Sequence, residues 1–176
     1  MFLYDSVNAK TIPAGAQLVA GYVDGAYANV AELKKRFPHA YVVTITVFGK
    51  AGARVADVET GDLTPAQGAK WALAELHAGR RPTIYASAAV IPAIKLELSK
   101  LRVDPVAVDF WVAHWVSVGT QPPAKVPAIP TGAVALQYAA NIPYGPYKTG
   151  AYDLSVTNGH WPFPAPHKPT TPQPVA

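Results

Sequence analysis

Acidic residues are scarce in this chain of 176 residues, and their placement is unusual. Only eleven are Asp or Glu, and five of them (Asp5, Asp24, Asp57, Glu59 and Asp153) fall inside apolar, strand-like runs. An ionised carboxylate in such surroundings is costly unless it is paired, hydrogen-bonded or facing a cleft. The sharpest case is Asp57-Val58-Glu59. On extended backbone, residues i and i+2 project to the same face, so the two carboxyls stand roughly 6–7 Å apart. Like charges held that close push one pKa upward and leave a protonated acid beside an ionised partner. Glycoside hydrolysis runs on such a pair. The same spacing also suits an ion-pair network with Arg54 and neighbouring bases.

Other chemistries find little support. The chain has no cysteine, which excludes disulfides, thiolate metal sites and a cysteine nucleophile. Its five histidines lack metal-ligand spacing, so no metal and no cofactor are expected. His114, between Ala113 and Trp115, reads as a structural histidine. Gly49-Lys50-Ala51-Gly52 lacks the phosphate-loop pattern and reads as a connection between strands. Asp24 beside Gly25 fits turn chemistry. Tyr85, Trp111, Trp115 and Tyr138 can stack on sugar rings, although aromatic residues in apolar strands also serve as core.

The elements that must carry these residues follow from periodicity. Strands are expected at 2–7, 18–24, 41–48, 54–59, 82–87, 110–115, 133–138 and 152–156, several of them apolar on both faces. Helices are expected at 29–37, with Asn29 as cap and Glu32 in capping-box position, at 64–79, and at 90–101. Thr64-Pro65-Ala66-Gln67 is a strong start signal, with a cap, a proline in the first turn and a capping-box glutamine. Strand–helix alternation points to parallel units. A full eightfold β/α barrel takes roughly 250 residues. The expected fold class is therefore α/β: a TIM-like β/α barrel, incomplete, with several outer helices missing. It would span 1–160, followed by a Pro-rich tail at 161–176.

In a parallel barrel, strand ends of one sense share a rim where sites are built. That places Asp5, the dyad and Asp153 together. With this set in view, the chain resembles family 25 glycoside hydrolases, the CH-type lysozymes that cut the muramyl-to-glucosaminyl bond of peptidoglycan. The matching pieces are Tyr4-Asp5-Ser6, Ala56-Asp57-Val58-Glu59, Ile84-Tyr85, Phe110-Trp111-Val112-Ala113-His114-Trp115, Leu136-Gln137-Tyr138 and Tyr152-Asp153-Leu154-Ser155, in that order. The resemblance implies Glu59 as general acid, with Asp57 and Asp153 stabilising or orienting the reacting sugar. Asp5 would complete the cluster, and Tyr85, Trp111, Gln137 and Tyr138 would contact substrate. The family's Tyr-His-Phe is replaced by Thr44–Phe48, and Gly21-Tyr22-Val23-Asp24-Gly25 stands where a Lys-containing run is usual.

Composition narrows the partners. Net charge is +4 and the pI about 9.3, but the basic residues are scattered over expected helices and turns. Solvated faces are expected, and no nucleic-acid partner. No apolar stretch approaches the roughly 20 residues of a membrane helix, so no membrane insertion is expected. No signal peptide is visible after Met1. Delivery to a cell wall would then use a phage lysis system, a virion or a non-classical route, and a phage or actinobacterial context suits the Ala/Val/Pro-rich usage. The expected state is a monomer, with peptidoglycan or a related glycan as partner. A silent glycan-binding module and a structural or virion-associated protein reusing the fold are the rival readings.

Overall fold

Alternation along extended backbone sorts the chain into an inner and an outer surface. In the computed structural model, which describes residues 1–163, eight strands form: β1 (Phe2–Asp5), β2 (Leu18–Tyr22), β3 (Tyr41–Thr46), β4 (Val55–Asp57), β5 (Thr83–Ser87), β6 (Asp109–Val118), β7 (Ala135–Tyr144) and β8 (Tyr147–Thr157). They hydrogen-bond in chain order into a closed barrel. Leu3, Ala20, Val43, Val55, Tyr85 and Trp111 pack inside it. Their sequence neighbours, including Ala56, Ile84, Phe110 and Val112, face outward into a second apolar cluster.

Neighbours from β1 to β7 are parallel. The expectation of a parallel barrel fails at β8, which runs antiparallel to both β7 and β1. The reason is local. Tyr144 pairs with Tyr147 across Gly145-Pro146, and a two-residue connection can only reverse the chain. Gly145 takes a φ of 57°, a conformation that favours glycine. β6, β7 and β8 also run longer than expected, because segments read as loops continue pairing beyond the rim.

Three α-helices are present among the described residues: α1 (Val30–Arg36), α2 (Pro65–His77) and α3 (Ile91–Lys100). They follow β2, β4 and β5. Among the described residues the other strand connections hold only one short 3-10 turn, at Ala9–Thr11 between β1 and β2; a second, Pro105–Ala107, follows α3 before β6. The molecule is thus a mixed α/β protein built on a closed eight-stranded barrel with few helices. The α2 capping box forms as expected: the Thr64 hydroxyl accepts from Gln67 N, and the Gln67 side chain accepts from Thr64 N at 2.9 Å. Thr64→Ala is expected to cost about 1 kcal/mol, a loss of roughly 2–4 °C in Tm at this size, read by thermal unfolding.

Asn29 does not cap α1 with its side chain. Its Oδ1 accepts from Tyr22 N at 3.0 Å and its Nδ2 donates to Ser6 O at 2.7 Å, tying together the ends of β1 and β2. Gly21 makes room for this, since a Cβ there would meet Asn29 Oδ1 at 2.4 Å and Leu33 at 2.2 Å.

The expected boundary at 160/161 is also corrected. Trp161 is buried in the barrel's inner cluster and donates to Thr83 Oγ1 at 2.8 Å, closing the end where β5 begins. Phe163 packs edge-on against Tyr41. The rest of the expected tail, 164–176, lies outside the described residues.

Candidate active site

Asp5 is the last residue of β1 and Asp57 the last of β4. Asp153 is the register partner of Asp5 across the β1–β8 pair. Because β8 runs antiparallel and extends past the rim, Asp153 meets the end of β1 from the middle of its own strand. Glu59 lies just past β4. There Val58 N donates to Tyr85 O at 2.9 Å, and Asp62 N closes a turn on Glu59 O at 3.1 Å. The four carboxylates line one cavity of about 180 Å³.

Gln137 organises the floor. Its Oε1 accepts from Tyr85 Oη at 2.7 Å and from Trp115 Nε1 at 2.6 Å. That orientation turns its Nε2 onto Asp5 Oδ2, to which it donates at 3.0 Å. Trp111 is buried beneath the cavity and donates to Ser155 Oγ at 3.0 Å. Trp115 is 49% exposed and forms part of the wall. Asp153 Oδ1 accepts from Asn141 N at 2.7 Å. Asn141 takes a φ of 54° where the β7–β8 register slips.

Of the eight residues expected to form the site, Asp5, Asp57, Glu59, Asp153, Tyr85, Trp111 and Gln137 meet here. Tyr138 does not. It neighbours Gln137 on β7, so its side chain points to the outer face and packs with Leu136 and Leu154. Tyr22, which also lines the cavity, was not expected as a site residue, although it is two residues on from the inward-facing Ala20. Asp24 is structural: it accepts from Thr46 Oγ1 at 2.5 Å and Val47 N at 2.8 Å.

The alternative ion-pair role for the dyad is not realised. Arg54 pairs instead with Asp109 at 3.8 Å and donates to Arg81 O. Among the described residues, no Lys or Arg lines the cavity. Burial and the Glu59 charge, with a contribution from Asp62, push Asp57 up to about 8. Asp57 is 3% exposed and its Oδ1 has no hydrogen-bond partner. Burial raises Glu59 too, helped by Asp62 and Asp153 and opposed by the Tyr85 hydroxyl. Within the dyad it is thus Asp57 that its neighbour's charge lifts. Burial, then Asp153, holds Asp5 well above its ordinary value against the opposing Gln137 amide. Burial likewise raises Asp153.

Such a site can hold protons at neutral pH and place negative charge around a developing cation. Among the described residues, no group of three or more His, Cys, Asp or Glu side chains is arranged to hold a metal ion. No helix among them is long and apolar enough to cross a membrane. Fold and site together define a helix-poor eight-stranded α/β barrel with a carboxylate-lined, proton-holding cavity at one rim. No protein-family model matches the chain, and no curated protein or solved structure matches it.

Proposed function

We propose that the rim cavity is the active site of a glycoside hydrolase directed at peptidoglycan or a related glycan, on a shortened TIM-like barrel. The observation that carries this reading is the convergence of four carboxylates from three parts of the barrel on one cavity, with no Lys or Arg among the described residues in its wall. The ordered resemblance to family 25 hydrolases supports it, as does the aromatic wall of Tyr22, Tyr85, Trp111 and Trp115.

The chemistry follows from the two environments. Asp57, buried against the Glu59 charge, stays uncharged below about pH 8. Glu59 is less buried and faces both this cavity and the groove beside it, so it reaches the glycosidic oxygen. Glu59, whose own carboxyl burial also raises, acts in its protonated form: it gives that proton to the leaving oxygen as general acid and is left as the carboxylate. Asp5 and Asp153, in their ionised forms, stabilise the oxocarbenium-like centre, and the water that captures it gives its proton to the Glu59 carboxylate, which restores the acid. Gln137 keeps Asp5 aimed at that centre.

The test is co-sedimentation with purified cell walls alongside loss of wall turbidity. Binding with clearing is the expected result. Binding without clearing makes the protein a glycan-binding module, and absence of both binding and clearing rules out the cell-wall glycan as its target.

A further inference from the structure

A second groove, of about 360 Å³, opens beside the cavity and shares Tyr22, Asp57 and Glu59 with it. Asp5 and Asp153 line the cavity alone. The groove carries Tyr27 and Phe48, which at 63% and 72% exposed are the two most exposed aromatic side chains among the described residues. Single apolar side chains in solvent are ordinary. Here both rings stand in the wall of one groove that runs into the carboxylate cavity. The loops that bear them are braced on each other. Asp24, three residues before Tyr27, accepts from Thr46 Oγ1 and from Val47 N, just before Phe48. Thr46 Oγ1 also accepts from Lys50 N at 2.8 Å, closing the turn that holds Phe48. Tyr22 O accepts from Asn29 N at 3.0 Å, closing the loop that holds Tyr27. Gly25, Ala26 and Gly61 complete this wall with little or no side chain.

Pyranose rings present flat faces of C–H groups, which cover aromatic surface well. A hollow within the roughly 300–1,000 Å³ of small-ligand sites has room for them. Rings on braced loops also lose little freedom when a ligand settles on them. The carboxylates set the direction of the chain. The sugar whose C1 becomes cationic belongs beside Asp5 and Asp153, and only the cavity offers both. Glu59 stands where cavity and groove join, and there it meets the oxygen being released. The chain beyond that oxygen is thereby directed into the groove. We propose that the groove is the leaving-group subsite of the hydrolase, holding the hexopyranose rings on the departing side of the scissile bond against Tyr27 and Phe48. The assignment rests on the glycan-hydrolase reading and deepens it, by fixing which side of the bond each hollow takes. On cleavage the C1–O bond breaks, and the oxygen leaves with the bonding pair and takes the Glu59 proton. The freed sugar hydroxyl departs along the groove, while water supplies the new hydroxyl at C1 and returns a proton to Glu59.

The experiment compares kcat/KM on soluble, uncrosslinked peptidoglycan strands with that on the β-fluoride of N-acetylglucosaminyl-N-acetylmuramic acid, for wild type, Tyr27→Ala and Phe48→Ala. Fluoride stands in for the leaving oxygen and puts no ring in the groove, so the ratio of the two values isolates the departing side. Both side chains are exposed, so both variants are expected to fold, and thermal unfolding checks it. Each variant is expected to lower the strand-to-fluoride ratio by about fivefold or more, the scale of a lost aromatic contact with its buried area. Most of that loss should appear as a raised KM on the strands, the mark of binding removed away from the reacting atoms. An unchanged ratio, or a strand KM within about twofold of wild type in both variants, overturns the leaving-group subsite and leaves the hydrolase reading standing. Hydrolysis of the fluoride with none of the strands overturns the subsite as well. Hydrolysis of neither substrate by wild type ends both.

Discussion

Asp57→Asn is expected to melt higher than wild type at pH 8.5, by at least about 5 °C, with a smaller advantage at pH 5. The Asp57 carboxyl is raised from 3.8 to about 8 by burial and by Glu59. A folded-state pKa above the unfolded one means that the native protein binds the extra proton. Its stability is then greatest below the unfolded pKa and is lost as pH rises through the folded value. The window for Asp57 is thus about pH 4 to 8. Each pKa unit corresponds to about 1.4 kcal/mol, so the full span reaches on the order of a few kcal/mol. At this size, 1 kcal/mol moves Tm by roughly 2–4 °C. An amide removes the charge that must otherwise be buried or neutralised. Asp5 and Asp153 are raised as well, so both proteins should lose stability on the alkaline side, the variant less steeply. Melting curves at the two pH values check this, and a gap that does not grow with pH would contradict it.

Glu59→Gln is expected to lower the rate of glycan hydrolysis by at least about 100-fold, the usual consequence of losing general-acid catalysis. The amide keeps the side chain's size and one hydrogen-bond donor but has no proton to transfer. Glu59 also charges against Asp57, so its neutralisation should let the Asp57 pKa fall. Residual activity in the variant should therefore fade at a lower pH than the wild-type alkaline limb near pH 8. A kcat profile between pH 4 and 9 resolves the two limbs. An unchanged limb would mean that Asp57 and Glu59 do not share a proton.

Eight strands were legible in the sequence because apolar runs punctuated by turns mark barrel strands, and all eight formed. The direction of β8 was missed because Gly145-Pro146 was read as part of a loop rather than as a hairpin turn. Period-two alternation was sound for the dyad, since Asp57 and Glu59 line the same cavity although β4 stops at Asp57. The same rule argues against Tyr138: adjacent residues on a strand cannot both face the interior, and Gln137 already does. Tyr22 was recoverable from its parity with Leu18 and Ala20. Asn29 was read from local capping preference, but a tertiary demand, the unpaired backbone at the ends of β1 and β2, took its side chain instead. Trp161 stood among prolines and read as tail, because nothing local announces that a lone indole will close a barrel. How far burial raises each of Asp57 and Glu59 depends on their relative depth, which spacing alone does not encode.

The most direct test of the carboxylate rim as a hydrolytic site is the appearance of new reducing ends in purified peptidoglycan, measured side by side for wild type and Glu59→Gln at equal wall-bound protein. The account predicts reducing ends accumulating with time for wild type, and at least about 100-fold slower for the variant. Equal wall binding with no new reducing ends from either protein, or equal release by both, would contradict it.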